Sequence, residues 1–154
     1  REREKALYSR IKMTFTCKPE DSKLTRYYYS HARKLHVNEK IVWKGYLRKD
    51  EMIREYYESD IVLFPSKLET FGLPLIEAAS LGKPVFVLDK PYAHDVLEGY
   101  DGAKYIEDCP LRWSQEIRDA YSREVHNFKF NTIVQRELNG WNKCVELLLN
   151  AVRM

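Results

Sequence analysis

The chain has 154 residues, with 26 Lys+Arg against 23 Asp+Glu and a formal net charge of +3. That length suits one domain able to bury a core without disulfides or metals. A hydrophobic share of 44% excludes a disordered chain, and the interspersed charges give no ground for a nucleic-acid or polybasic-membrane class.

The chain opens on the charge run Arg1-Glu2-Arg3-Glu4-Lys5, read as the outer face of a helix. Residues 12–17 have a strand-like composition, broken at Pro19. Across residues 22–36, Leu24, Tyr28 and Leu35, with Ala32 alongside, recur at helical spacing. That spacing predicts one buried and two partly exposed residues among Tyr27, Tyr28 and Tyr29. Ile41-Val42-Trp43 is a short strand stopped at Gly45. Asp50 is the expected N-cap of a helix carrying Met52, Ile53, Tyr56 and Tyr57.

Ile61-Val62-Leu63-Phe64 is an apolar strand ended by Pro65-Ser66, and the helix of Leu75, Ile76, Ala78, Ala79 and Leu81 stops at Gly82. Residues 84–89 form another apolar strand, followed by a loop with His94 and a helical turn at 95–98. Gly99-Tyr-Asp-Gly102 reads as a turn, and 103–106 as a last strand. Residues 112–121 and 132–152 read as amphipathic helices, the latter with a stripe of Trp141, Val145, Leu148 and Val152. His31, His36 and His126 read as helix-surface residues. Five strands with little polar alternation and intervening helices predict a doubly wound, mostly parallel α/β sheet. In such sheets ligands bind beyond the carboxyl ends of the strands.

Cys17, Cys109 and Cys144 are odd in number and lack metal-ligand spacing, so they read as small buried hydrophobes rather than disulfide or zinc partners. No apolar run approaches the ~20 residues of a membrane span, and the expected compartment is the cytoplasm. The Gly-x-Gly-x-x-Gly, Gly-x4-Gly-Lys-Ser/Thr and Gly-x-Ser-x-Gly patterns are absent.

The informative stretch is Pro65-Ser-Lys-Leu-Glu69-Thr-Phe-Gly72-Leu-Pro-Leu-Ile-Glu77-Ala-Ala79. It follows a strand and opens a helix. Gly72 permits close approach of a ligand, and Pro74 suits the first helical turn. Amides near Phe71, Gly72 and Leu73, with the helix dipole, make an anion site. Glu77 lies about one turn inside and can lean back to the same crevice, where it suits a ribose diol. Glu69 precedes the helix and can grip a second polyol. Phosphate in the middle with hydroxyls at both ends describes a nucleotide sugar. Alternatively, Glu69 caps the helix, Glu77 is merely solvated and Gly72 only shapes a tight turn.

The full string through Ser80-Leu-Gly-Lys-Pro-Val85 resembles the signature of the retaining glycosyltransferases of family four, in their C-terminal donor-binding domain. Val42-Trp-Lys-Gly45-Tyr46 resembles the family's strand-then-glycine. The run from Tyr57 through Ser59-Asp60 to Ser66, and the loop Asp89-Lys-Pro-Tyr92-Ala-His-Asp-Val96, also fit. The similarity spans residues 12–107.

The resemblance implies a Rossmann-like half of a GT-B fold: one donor domain over residues 1–154, N-terminally truncated, with helices of 110–154 packing on it. It implies sugar transfer from a nucleoside-diphosphate sugar with retention, in polysaccharide or glycolipid synthesis, by a hexosyltransferase-type enzyme that needs no metal or other cofactor. Glu69 falls on the catalytic, sugar-binding carboxylate. Thr70, Phe71, Gly72 and Leu73 fall on the sugar and diphosphate contacts, Glu77 on the ribose, and Gly45, Tyr46, Leu47 and Ser66 on the base pocket. The implied partners are the nucleotide sugar and an acceptor-binding domain of the same protein, with any peripheral contact to the inner membrane face made through that half. The family's diphosphate-gripping Arg and Lys find no match, since Arg10 and Lys12 precede a strand rather than follow one. The fragment alone is therefore expected to be inactive. The competing readings are a non-catalytic nucleotide-sugar-binding or scaffolding domain and a nucleotide-sugar epimerase.

Overall fold

A computed structural model describes residues 7–123. The Arg1–Lys5 run, His126, Cys144 and the helix expected at 132–152 with its Trp141 stripe lie outside the described residues. The chain divides into two compact units between Arg54 and Glu55.

In the first unit β1 (Met13–Phe15) pairs in parallel with β2 (Ile41–Trp43), Thr14 opposite Val42. Between them run α1 (Lys23–Lys34) and a 3-10 turn at Asn38–Lys40. Ser22 caps α1: its hydroxyl accepts the Thr25 amide at 3.0 Å, and the Thr25 hydroxyl accepts the Ser22 amide at 2.9 Å. Phe15 stacks on Trp43 with ring centroids 4.8 Å apart.

Two expectations fail on α1. Tyr27, Tyr28 and Tyr29 are all exposed, and so are Leu24 and Leu35. Ala32 is the helix's buried residue. Tyr29 still meets Trp43 edge-on at 6.0 Å. His36 is not on a helix surface: it follows the helix with a left-handed φ of 56°. Nor are all the strands buried on both faces. Thr14 and Val42 are exposed, as a short two-stranded ladder permits.

α2 spans Lys49–Glu58, starting two residues earlier than Asp50 as its cap would require. Glu51 accepts the Arg48 amide at 2.8 Å instead, and Asp50 pairs with the Arg48 guanidinium at 3.2 Å. Both carboxylates sit at the positive end of the helix dipole.

The second unit holds β3 (Val62–Phe64), α3 (Leu73–Ser80), β4 (Val85–Leu88), α4 (Pro91–Val96), β5 (Ala103–Ile106) and α5 (Pro110–Ser122). Its sheet order is β3-β4-β5, all parallel, with Leu63 opposite Phe86 and Phe86 opposite Lys104. The central strand β4 is buried throughout, which is why it reads as an unbroken apolar run. Leu75, Ala78 and Ala79 of α3 and Ala93 of α4 are buried with it. Phe86, Ile106 and Ala120 form a core cluster with Ile61, Leu63, Trp113 and Ile117 against it.

The five strands among the described residues thus pair in parallel with helices interleaved, as two ladders of two and three strands. This is the Rossmann-like α/β architecture of a GT-B half. The turn expected at Gly99–Gly102 is present, and the Tyr100 hydroxyl donates to the Lys83 carbonyl at 2.7 Å. No helix among the described residues is long and apolar enough to cross a membrane.

Candidate functional site

The parallel register puts the carboxyl ends of β3, β4 and β5 along one edge. From that edge leave the β3–α3 segment with Ser66 and Glu69, the β4–α4 segment with Asp89, and the β5–α5 segment with Asp108.

The centre of the site is the start of α3. Gly72 is its N-cap, at φ 60° and ψ 32°, in the left-handed region glycine adopts without strain. The glycine is buried, and a Cβ built on it would lie 3.2 Å from a Val96 methyl of α4. Pro74 fills the first turn, and no side chain caps the helix. The Glu69 carboxylate instead accepts the amide of its neighbour Thr70 at 3.0 Å. Glu69 is therefore not the helix cap. The amide end of α3, with its positive dipole, has no side-chain cap, an arrangement able to take an anion.

Glu77 is the fifth residue of α3, roughly 7 Å along the axis from the start. Its side chain is half-buried and tilts toward the helix start. It is also not merely solvated: the Tyr56 hydroxyl donates to its Oε2 at 3.3 Å. The Tyr56 ring is 7% exposed, while Tyr57, the tyrosine that the sequence singles out, is 64% exposed. Burial first, then the Glu77 charge and hydrogen bond, hold the Tyr56 phenol far above its ordinary pKa. It stays a protonated donor and orients one carboxylate oxygen.

The β3–α3 loop is tied down elsewhere. The Ser66 hydroxyl donates to the Leu68 carbonyl at 2.8 Å, and the Ser66 carbonyl accepts the Tyr92 hydroxyl at 2.7 Å. Lys67 pairs with Asp108 of the β5–α5 loop at 2.6 Å. His94 lies on α4 rather than in a loop. Its Nε2 is 2.7 Å from an Asp89 oxygen, and its ring stacks on Tyr105 at 3.9 Å.

Ser66, Glu69, Thr70, Phe71, Gly72, Leu73 and Glu77 thus come together on one strand-to-helix segment of the second unit. Phe71 and Leu73 are exposed there. Gly45, Tyr46 and Leu47 lie in the first unit after β2. Gly45 is buried at φ 75°, its amide bonded to the Cys17 carbonyl at 3.3 Å, and Tyr46 is 89% exposed. Cys17 and Cys109 are free and half-buried.

Sequence reasoning missed Tyr56 and Tyr92 as parts of the site. Tyr56 reads there as one apolar residue of a helix, though a phenol at a buried position signals a hydrogen-bond partner. Tyr92 reads as part of a loop, and its signal is only its place just past a strand's carboxyl end.

The model of the family "Glycosyl transferases group 1" matches residues 18–131, and the chain belongs to this family. Among curated relatives it is 30% identical over 106 residues to the sulfoquinovosyl transferase of Arabidopsis thaliana, covering 64% of this chain and 21% of that protein. It is 28% identical over 121 residues to a D-inositol 3-phosphate glycosyltransferase of Mycolicibacterium gilvum, covering 77% and 27%. It is 30% identical over 103 residues to an O-antigen chain mannosyltransferase of Salmonella typhimurium, covering 66% and 29%. The chain therefore spans between a fifth and a third of the length of these relatives.

Proposed function

We propose that this chain is the donor-binding half of an enzyme that transfers a sugar from a nucleoside-diphosphate sugar to an acceptor, with retention at the anomeric carbon. The observation that carries the reading is the uncapped, left-handed start of α3, with Glu69 just before it and a Tyr56-oriented Glu77 one turn inside. Glu77 holds the ribose diol, and Glu69 grips sugar hydroxyls and serves as the catalytic carboxylate. The amides of Phe71, Gly72 and Leu73 meet the sugar and diphosphate, with Thr70, whose own amide is bonded to Glu69, lining the same turn. Within the second unit, Ser66 meets the base. Negative charge grows on the departing diphosphate, and preorganised amides at a helix start stabilise it without reorganising. No metal or cofactor is assigned a role. The acceptor is held by another part of the protein, at the cytoplasmic face of a membrane. The relative named as an O-antigen chain mannosyltransferase supports polysaccharide assembly as the setting.

Titration of the chain with UDP-, GDP- and ADP-sugars, by calorimetry or saturation-transfer NMR, tests the site. Saturable binding of one donor is expected, weakened about tenfold or more in Glu77→Ala, the loss of a charge-assisted hydrogen-bond acceptor. No binding by the wild type, or binding unchanged in Glu77→Ala, rules the assignment out and leaves the scaffolding reading.

A further inference from the structure

We propose that Tyr92 is a positioning residue for the donor sugar, holding the loop that carries Glu69 in its sugar-binding conformation. The inference rests on the donor-site reading above. It begins with α4, a helix of only six residues that touches both ends of the loop between β3 and α3. At one end the Tyr92 hydroxyl donates to the Ser66 carbonyl at 2.7 Å. At the other, Val96 lies close enough to Gly72 that a Cβ there would come within 3.2 Å of its methyl. Tyr92 and Val96 are four residues apart and share one face of α4. The helix is a two-point brace, and Glu69 lies between its contacts.

Ser66 transmits the restraint. Its carbonyl is held by Tyr92, and its hydroxyl closes a turn onto the Leu68 carbonyl at 2.8 Å, so the backbone entering Glu69 has little freedom. Glu69 in turn bonds the Thr70 amide rather than a residue of another element, so its direction is inherited from the loop. The Tyr92 phenol lies within the field of Glu69. Burial first, and then that charge, raise its pKa, while the bond to Ser66 acts the other way. The hydroxyl therefore stays a donor across the neutral range. Glu77 stands apart from this arrangement, on the helix and steered by Tyr56. The two carboxylates thus have separate supports: Tyr92 for the sugar end, Tyr56 for the ribose end.

That separation makes the test specific. The full 154-residue chain is titrated with a nucleoside diphosphate and with the corresponding nucleotide sugar, in wild type, Tyr92→Phe, Glu69→Gln and the double variant. Circular dichroism and the melting temperature establish that each variant is folded. Tyr92→Phe should weaken the nucleotide sugar about fivefold more than the bare diphosphate, whose base also meets Ser66; fivefold is the factor one lost hydrogen bond supplies. In the Glu69→Gln background it should add nothing further. Amide exchange at Leu68, Phe71 and Gly72 should quicken in Tyr92→Phe and stay unchanged in Glu69→Gln, the Thr70 amide being set aside because it bonds Glu69 itself. Equal weakening of both ligands in a folded Tyr92→Phe means a general structural role and overturns the proposal. So does an unchanged sugar increment alongside a reduced one in Glu69→Gln, which leaves the donor site intact. Absence of any donor binding by the wild type removes the site reading and this inference with it.

Discussion

Gly72 joins two requirements at one residue. A left-handed φ of 60° starts α3, and the absence of a side chain lets the Val96 methyls close over the turn. Gly72→Ala should therefore lower stability by about 1–2 kcal/mol, the cost of an L-residue in the left-handed region plus the crowding at Val96. Thermal denaturation measures the loss, and donor affinity should fall with it. The placement of Gly72, Glu69 and Glu77 is legible in the sequence because each stands at a local position around one helix start. The hydrogen bonds of Tyr56 and Tyr92 are not, because their partners lie 21 and 26 residues away. The adjacent Tyr57 shows the difficulty: two tyrosines in succession point different ways, and composition does not say which one is buried.

Among the elements, the strands are legible where burial is two-sided and the helix starts where local chemistry is decisive. β4 satisfies the first condition, and the Pro74 turn of α3 the second. α2 starts earlier than Asp50 implies because Glu51, at the third helical position, reaches back to the amide of Arg48. α1 shows the limit of periodicity, which finds the helix and the buried Ala32 but counts the exposed Leu24, Tyr28 and Leu35 in the same stripe. The loops are held by pairs that spacing does not reveal. Lys67 reaches Asp108 across two strand ends, and its hydrogen bond and charge, with help from Lys90, hold the Asp108 carboxyl below its usual pKa. A depressed folded-state pKa stabilises the fold above the ordinary Asp pKa, and that contribution is lost as the pH falls through the folded pKa, below about pH 4. NMR titration of Asp108 should therefore show its midpoint rising toward the ordinary value in Lys67→Met. Added salt should produce part of the same rise, since both groups are exposed.

For the whole molecule, the parallel α/β class was readable from alternating apolar runs and helices, and the family match over residues 18–131 agrees. The division of the five strands into two ladders was not, because apolar runs name strands without naming their neighbours. The second unit's stability centres on β4, where Leu88 is 1% exposed at the strand's carboxyl end. Leu88→Ala should cost about 3 kcal/mol, read from urea unfolding, as expected for a leucine removed from a closed core. The order β3-β4-β5 has a kinetic consequence. Each strand pairs with its neighbour in sequence, and the paired residues are only about twenty positions apart. Each pairing closes a short loop containing a single helix, so the entropy lost at each closure is small for a parallel sheet. The ladder can grow one strand at a time, and the segments that bear Glu69, Tyr92 and Asp108 are brought side by side by these near-neighbour closures, without a search across the chain.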